Sequence, residues 1–153
     1  MKIGDYFNSL DIIPSLVSTT KDDVLKELVA KLVARHSAID REEALSLLQE
    51  RELLGSTGIG GGIAIPHAKL RIGGDPLVVF GRSTKGISYD ALDGKPVSLF
   101  FLLIADANSF DQYLKLLARI SRLLKDRTLR GRLLEASGAD ALYDIIQEQD
   151  ARF

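Results

Sequence analysis

A glycine-rich segment that ends in a histidine has the residue types best suited to chemistry. It runs from Arg51 to His67 as RELLGSTGIGGGIAIPH, and five glycines fall within the eight positions 55–62. Glycine adopts positive φ at no steric cost, so such a loop can bring backbone N–H groups close to an anion such as phosphate. Glycine content alone is equally compatible with a tight structural turn.

His67 is the candidate nucleophile of this segment. An imidazole with a pKa of about 6.5 is mostly neutral in the cytoplasm, so one ring nitrogen has a lone pair that attacks phosphorus without a general base. The other nitrogen must donate a hydrogen bond, and a backbone carbonyl of the loop is the expected acceptor. Pro66 fixes the preceding backbone, and we expect His67 where a strand ends and a loop begins. The other histidine, His36, is expected at a helix end, where a cation suits the helix dipole without any chemical role.

Residue types that the chain lacks exclude several chemistries. Cysteine is absent and there are only two histidines, which rules out thiol catalysis, disulfides, and Cys-ligated or three-histidine metal sites. We therefore expect no metal and no cofactor. Gly58-Ile59-Gly60 begins like a dinucleotide fingerprint, but Ile63 occupies the third glycine position and no Gly-Lys-Ser/Thr ending follows. A nucleotide-binding domain is disfavoured, and measurable nucleotide affinity would restore that hypothesis.

Charge and hydropathy argue against nucleic acid or a membrane as a direct partner. The 20 basic and 21 acidic residues are interspersed and give a formal net charge of −1, which offers no attraction to polyanions. The longest apolar run is Leu99–Ala105, far below the ~18 residues of a membrane span. The N-terminus lacks the apolar segment of a signal peptide. We expect a cytoplasmic protein with one domain over residues 1–153.

Hydrophobic periodicity predicts the elements that position this segment. Thr20 caps a predicted amphipathic helix that ends near His36. Asp40 opens a second helix that Gly55 closes, which places Arg51 in its last turns. Short β-branched or aromatic stretches bounded by turn residues predict three strands, Ile63–Ile65, Leu77–Gly81 and Val97–Ile104. The third does not alternate, which predicts a strand buried on both faces.

Further helices are predicted after the strands. Ser109 and Gln112 have the spacing of a capping box. The helix that follows is expected to bury a stripe formed by Leu114, Leu117, Ala118, Ser121 and Leu124. A last helix is expected to begin at residues 137–140 and to run through Ile146. This order predicts an α/β or α+β sandwich in which a central β-sheet is flanked by helices on both faces.

Three parts of the chain together resemble a known family: Arg51 to His67, residues 87–97, and the helix from Phe110. They are similar to the enzyme IIA (EIIA) domains of the fructose, mannitol and nitrogen-regulatory class in the bacterial phosphoenolpyruvate-dependent phosphotransferase system (PTS). The string GSTGIGGGIAIPH is long and specific. The resemblance implies a single-domain α/β sandwich with a mixed central sheet. It also implies a transferase with a covalent phosphohistidine intermediate, in which His67 accepts the phosphoryl group on Nε2 and Arg51 is its basic partner.

The remaining site predictions concern the loop and one departure from the family. Backbone N–H groups are expected to help Arg51 neutralise the phosphoryl charge. The residues assigned to this phosphate loop are Ser56, Thr57, Gly58, Gly60 and Gly62. Many relatives carry a second histidine before a leucine, but this chain has Tyr113 before Leu114. Tyr113 is either a neutral donor in the pocket or an ordinary residue at the edge of the core.

The resemblance leaves two functions open. The first is a phosphocarrier and regulatory protein of the nitrogen-regulatory type, which accepts phosphate from an HPr-like phosphohistidine donor. Such a protein signals to a regulated transporter or kinase. Phosphorylation adds a charge of about −1.5 to −2 beside an uncharged loop, which would change the partners that the neighbouring surface binds. The chain resembles this nitrogen-regulatory branch in two respects, namely its length, without fused IIB or IIC segments, and its residues 133–146. The alternative is a sugar-transport EIIA that passes phosphate to a fructose- or mannitol-type IIB domain.

Overall fold

A mixed six-stranded sheet forms the centre of the computed structural model, which describes residues 1–152. The strands are β1 (Ile12–Ile13), β2 (Gly58–Gly60), β3 (Ile63–Ala64), β4 (His67–Leu70), β5 (Leu77–Ile87) and β6 (Val97–Asp106). The helices are α1 (Lys21–Arg35), α2 (Arg41–Leu53), α3 (Phe110–Leu124), α4 (Arg127–Glu135) and α5 (Ala139–Asp150). The strand order is β1-β5-β6-β3-β2, and β4 also pairs with β6.

Strand β6 is the central strand of the sheet and pairs along both edges. It runs antiparallel to β5 and parallel to both β3 and β4, which follow one another along its other edge. All of its residues except Ser98 are buried, because helices cover both faces of the sheet. The prediction of a strand buried on both sides is confirmed.

Two apolar cores lie on the two faces of this sheet. Alternate β6 side chains enter different cores, as the two-residue period of a strand requires. Phe101 and Leu103 pack with residues of α3, α4 and α5, whereas Phe100 and Leu102 pack with α1 and α2. The predicted α/β class, with a mixed sheet between helix layers, is confirmed. Within residues 1–152, no helix combines the length and apolar character needed to cross a bilayer.

The two N-terminal helices begin and end close to the predicted residues. Thr20 Oγ1 accepts a hydrogen bond from the Asp23 amide, and His36 follows the last residue of α1. Asp40 Oδ1 accepts from the first amides of α2. Helix α2 ends at Leu53, which places Arg51 in its last turn as predicted.

The sequence patterns do not predict four elements, namely β1, β2, β4 and α4. The three strands contain only two to four residues each, which is too short for alternation to be visible. Only Lys125 and Asp126 separate the end of α3 from the start of α4, and the Asp126 carboxylate accepts a capping hydrogen bond from the Leu129 amide at 3.0 Å. Strand β5 is also longer than predicted, because it continues beyond Gly81 to Ile87.

The predicted register and cap of α3 are wrong. The buried residues of this helix are Tyr113, Leu116, Ile120, Leu123 and Leu124, so the predicted stripe shares only Leu124 with them. Leu114 is 44% exposed. Ser109 makes no side-chain cap, and Gln112 Nε2 instead donates to the Tyr6 hydroxyl at 3.2 Å. The buried residues, with the partly buried Leu117, have the three- and four-residue spacing of one amphipathic face. The predicted stripe is the neighbouring one, which contains the polar Ser121 and the exposed Leu114.

A buried arginine fastens the N-terminal segment and the end of α4 to β5. The Arg82 side chain donates to the carbonyl oxygens of Pro14, Leu133 and Ala136 at 2.9, 2.9 and 2.6 Å. The residue is 5% exposed, so these carbonyls replace the water that the guanidinium would otherwise bind. Arg82 therefore stabilises the fold on the side of the sheet covered by α4.

Candidate functional site

His67 is the first residue of β4 and is held by the central strand. It pairs with Leu103 of β6, and the carbonyl of the preceding Pro66 accepts the Leu103 amide at 3.0 Å. The expectation that His67 lies where a strand ends is wrong, because β3 ends at Ala64 and His67 starts a further strand. Its backbone therefore has little freedom to move relative to the core.

The His67 ring is oriented by a backbone carbonyl. Nδ1 lies 2.6 Å from the Ile65 carbonyl oxygen. A carbonyl oxygen accepts only, so the neutral ring carries its proton on Nδ1 and its lone pair on Nε2. This geometry agrees with the predicted backbone acceptor and leaves Nε2 as the nucleophilic atom.

Burial lowers the pKa of His67 below its ordinary value of 6.5. The bond to the Ile65 carbonyl opposes this shift, and the cations of Arg51 and Lys69 add to it. Glu52 acts in the raising direction. Desolvation disfavours the charged imidazolium, so His67 is neutral at neutral pH and retains its lone pair.

Arg51 and His67 border the same two open clefts. One has a volume of about 480 Å³ and also borders Lys69 and Tyr113. The other has a volume of about 280 Å³ and also borders Ser56 and Thr57. Arg51 Nη1 donates to the Gly55 carbonyl at 2.8 Å, which holds the guanidinium at the end of α2. The structure thus brings the predicted cation and the predicted nucleophile together.

Tyr113 combines features of both hypotheses made for it. It is 7% exposed and packs in the core beneath α3. Its ring centroid also lies 5.8 Å from that of His67, and both residues border the larger cleft. Burial raises the pKa of its hydroxyl, with Arg51 acting in the opposite direction, so the hydroxyl keeps its proton and remains a neutral donor.

The predicted phosphate loop is partly a β-hairpin turn. Gly60 and Gly62 have φ of +96° and +80°, which L side chains rarely adopt. The amide of Gly58 donates to Ser56 Oγ, and that of Thr57 donates to Glu52. Ser56 and Thr57 border the smaller cleft with His67. The Ser56 hydroxyl donates to the Tyr89 carbonyl, and the Thr57 amide and hydroxyl both donate to Glu52, so these donors are engaged within the protein. The phosphate-binding role of the loop stays a prediction.

A polar cluster behind the loop was missed by sequence reasoning. The Glu52 carboxylate accepts from the Thr57 amide at 3.0 Å and from the Thr57 hydroxyl, and it pairs with Lys21 at 3.0 Å. Tyr89, which is fully buried, lies with its hydroxyl 3.2 Å from Thr57 Oγ1. Lys21 Nζ lies 4.7 Å from the centroid of the Tyr89 ring. Glu52 was visible only as a charge beside Arg51, and nothing in the local pattern showed that it is buried.

Lys69 is a second cation that the sequence patterns did not single out. Its ammonium lies 4.1 Å from the ring centroid of Phe110 and 5.1 Å from that of Tyr113, at cation–π distance. Its position two residues after His67 on β4 was the available signal. Within residues 1–152, no three His, Asp or Glu side chains are grouped so as to hold a metal ion.

These features define an α/β protein with a neutral histidine and a cation at one open site, and sequence comparison places it in a family. The family described as "Phosphoenolpyruvate-dependent sugar phosphotransferase system, EIIA 2" matches residues 5–149. The chain therefore belongs to the type 2 EIIA family, as its glycine-rich segment indicated.

Relatives include both transport and regulatory proteins. The chain is 39% identical over 150 residues to the fructose-specific EIIABC component of Bacillus subtilis. The match covers 98% of this chain but only 24% of that protein. It is 36% identical to a nitrogen regulatory protein of Bradyrhizobium diazoefficiens, with 95% of each chain covered. The crystal structure of nitrogen regulatory protein IIA-Ntr from Neisseria meningitidis has a TM-score of 0.87 and 29% identity, and the match covers 94% of this chain and 98% of that one.

Proposed function

We propose that this EIIA protein accepts a phosphoryl group on Nε2 of His67 and signals through its phosphorylation state. The observation that carries the proposal is the Nδ1–H bond to the Ile65 carbonyl, at 2.6 Å, in a ring that borders an open cleft with Arg51. In the transfer, the Nε2 lone pair forms the new N–P bond while the donor's N–P bond breaks and the donor nitrogen keeps the electron pair. The His67 Nδ1 proton stays where it is.

The charges near His67 support binding of a phosphoryl group. Phosphoryl transfer depends mostly on positioning and on neutralising the charge of the equatorial oxygens. Arg51 supplies a planar guanidinium suited to phosphate oxygens, and Lys69 supplies a second cation in the same cleft. The Tyr113 hydroxyl adds one neutral donor at the border of the same cleft.

Exposed apolar side chains near the site support docking of another protein. Leu54 and Leu92 are 84% and 76% exposed, and each borders one of the two clefts. Phe110, which contacts Lys69 and lies beside Tyr113, is 52% exposed. Apolar groups around a polar centre are typical of protein interfaces. We propose an HPr-like phosphohistidine protein as donor and a regulated transporter or kinase as target.

The second candidate function is that of a sugar-transport EIIA. EIIA domains of the phosphotransferase system pass phosphate to IIB domains, and the 39% identity to a fructose-specific EIIABC component favours this role. A fructose-specific EIIA component of Haloferax volcanii, 38% identical with 84% of each chain covered, also favours the transport role. The nitrogen-regulatory role is preferred because several relatives that are 35–40% identical to this chain are nitrogen regulatory proteins and because the IIA-Ntr structure matches with a TM-score of 0.87. Fast, selective transfer to a fructose- or mannitol-type IIB domain would establish the transport role instead.

Labelling with ³²P from a phosphorylated HPr-like donor tests the proposed site. We expect one label per chain, stable in alkali and labile in acid as an N–P bond requires. His67→Ala should abolish it in a folded protein. His36→Ala is the matched control, since His36 follows α1 and borders neither cleft. Label persisting in His67→Ala, or lost in His36→Ala, would overturn the proposal.

A further inference from the structure

A continuous series of hydrogen bonds connects a buried carboxylate to the ring of His67. Glu52 Oε1 accepts from the Thr57 amide at 3.0 Å, and the Thr57 carbonyl accepts from the Ile65 amide at 3.1 Å. The Ile65 carbonyl in turn accepts from His67 Nδ1 at 2.6 Å. We call this series the Glu52 chain. It passes through two residues, Thr57 and Ile65, in each of which the N–H and the C=O belong to successive peptide groups joined at Cα, and it joins the end of α2 to the first residue of β4.

The carboxylate that starts the Glu52 chain is firmly held. The side chain of Glu52 is 6% exposed, and a buried charge is costly unless it is paired and hydrogen-bonded. Lys21 supplies the pairing charge, and the Thr57 hydroxyl donates a further bond. Because the Thr57 hydroxyl proton is directed to Glu52, the Tyr89 hydroxyl donates to Thr57 Oγ1. Glu52 is therefore a fixed acceptor for the Thr57 amide.

We infer that Glu52 is a positioning residue for phosphoryl transfer, which acts on His67 through the backbone positions of Thr57 and Ile65. Its charge fixes the Thr57 amide, and the Thr57 carbonyl fixes the Ile65 amide. The Ile65 carbonyl then holds the His67 proton on Nδ1 and the lone pair on Nε2. A saturated Cα lies between the N–H and the C=O of each of these residues, so the effect is passed on as atomic position and not as electronic polarisation. The effect on transfer rests on the proposed function, whereas the effect on the ring does not.

A purely structural role would give a different pattern of effects. If Glu52 served only to stabilise the turn, the Thr57 hydroxyl bond would matter as much as the amide bond. In the Glu52 chain only the Thr57 amide carries the connection, and Thr57→Val keeps that amide while removing the hydroxyl. Asp11→Asn is the matched control for a buried carboxylate, because the Asp11 side chain is 5% exposed and pairs with Arg35 at 2.8 Å.

Ring nitrogen chemical shifts of His67, from ¹⁵N NMR of the unphosphorylated full chain at about pH 8, test the orientation. The native protein should show the Nδ1–H tautomer. Glu52→Gln, whose neutral oxygen is a weaker acceptor, should raise the Nε2–H population, and Glu52→Ala should raise it further. In Thr57→Val and Asp11→Asn the ring nitrogen shifts of His67 should keep their native values. Native shifts in both Glu52 variants would overturn the inference, as would an equal change in Thr57→Val or Asp11→Asn.

Transfer kinetics with a phosphorylated HPr-like donor test the consequence. Hydrogen-bond partners that orient metal-bound histidines typically matter 10- to 100-fold. We take the lower end of that range for Glu52, which acts through two residues, so kcat of Glu52→Gln should fall about tenfold while KM for the donor stays unchanged. Thr57→Val should transfer at nearly the native rate. If Glu52→Ala does not fold, Glu52→Gln still decides the question. If the shifts change as expected but even the native protein is not phosphorylated, Glu52 keeps its orienting role and the proposed function fails.

Discussion

Replacing Arg51 should slow phosphoryl transfer strongly without unfolding the protein. Two unit charges about 4 Å apart interact by about 4 kcal/mol at an effective dielectric constant of 20 and by about 1 kcal/mol in bulk water. Arg51 is half-buried beside two open clefts. The interaction energy between its guanidinium and one phosphoryl charge therefore lies between these limits, at about 2–3 kcal/mol. That range corresponds to transfer slower by about 30- to 150-fold in Arg51→Ala.

Arg51→Lys should recover part of this loss, because it keeps the charge but not the guanidinium fork. The free energy of unfolding should change by less than about 1 kcal/mol, since the bond from Arg51 to the Gly55 carbonyl is exposed.

Single-turnover quench-flow with a ³²P-labelled HPr-like donor measures the rate, and urea unfolding measures the stability. Arg41→Ala provides the control, because Arg41 is an exposed arginine at the opposite end of the same helix. Native transfer in Arg51→Ala would refute the reasoning. Equal slowing in Arg41→Ala would refute it too, because the effect would then not depend on closeness to His67.

Three further outcomes are expected. Tyr113→Phe should shorten the phosphohistidine half-life about fivefold, the value of one neutral hydrogen bond, and Tyr113→His should restore it; an unchanged half-life in Tyr113→Phe would show that Tyr113 only packs. Burial lowers the pKa of His67 below 6.5, so the ring keeps its lone pair as the pH falls from 7 to 6.5 and the transfer rate should stay level. The rate should drop only at lower pH, where the ring becomes protonated. A rate profile with its midpoint above pH 6.5 would contradict this expectation. Arg82→Met leaves three carbonyls without their donor, so the free energy of unfolding should fall by about 3–5 kcal/mol. In calorimetry Tm should fall by about 10 °C, and the phosphate labelling of His67 should be retained below Tm.

Much of the fold and the central pair of the site were visible in the sequence because they depend on local signals. Thr20 and Asp40 have side chains suited to capping, and the unbroken apolar run of β6 shows that both of its faces are covered. Pro66-His67 after a run of glycines marked a candidate nucleophile, and the helix that Asp40 opens placed Arg51 in its last turns. These predictions needed only neighbouring residues, whereas the roles of His67 as phosphoryl acceptor and of Arg51 as its basic partner came from the family resemblance.

The features that the sequence did not predict depend on contacts between distant segments. Glu52 resembles any charge near a helix end until Lys21 and Thr57 surround it. Strand β4 has four residues and is defined by its partner β6 rather than by its own pattern. Tyr113 is buried because it lies on the apolar face of α3 with Leu116 and Ile120. The prediction missed this because it began the stripe at Leu114, one residue away from that face.

The attachment of His67 to the middle of the sheet separates reactivity from partner choice. The atoms that position and orient His67 belong to β4, β6 and the Ile65 carbonyl, all fixed by the core. The side chains that a visiting protein would touch, such as Leu54, Leu92 and Phe110, are exposed and lie outside β4 and β6. Substitutions at those surface positions can therefore change which proteins dock while the nucleophile keeps its geometry. One fold can in this way be used by a fructose-specific component in one bacterium and by a nitrogen regulatory protein in another, with the strands that hold the histidine left unchanged.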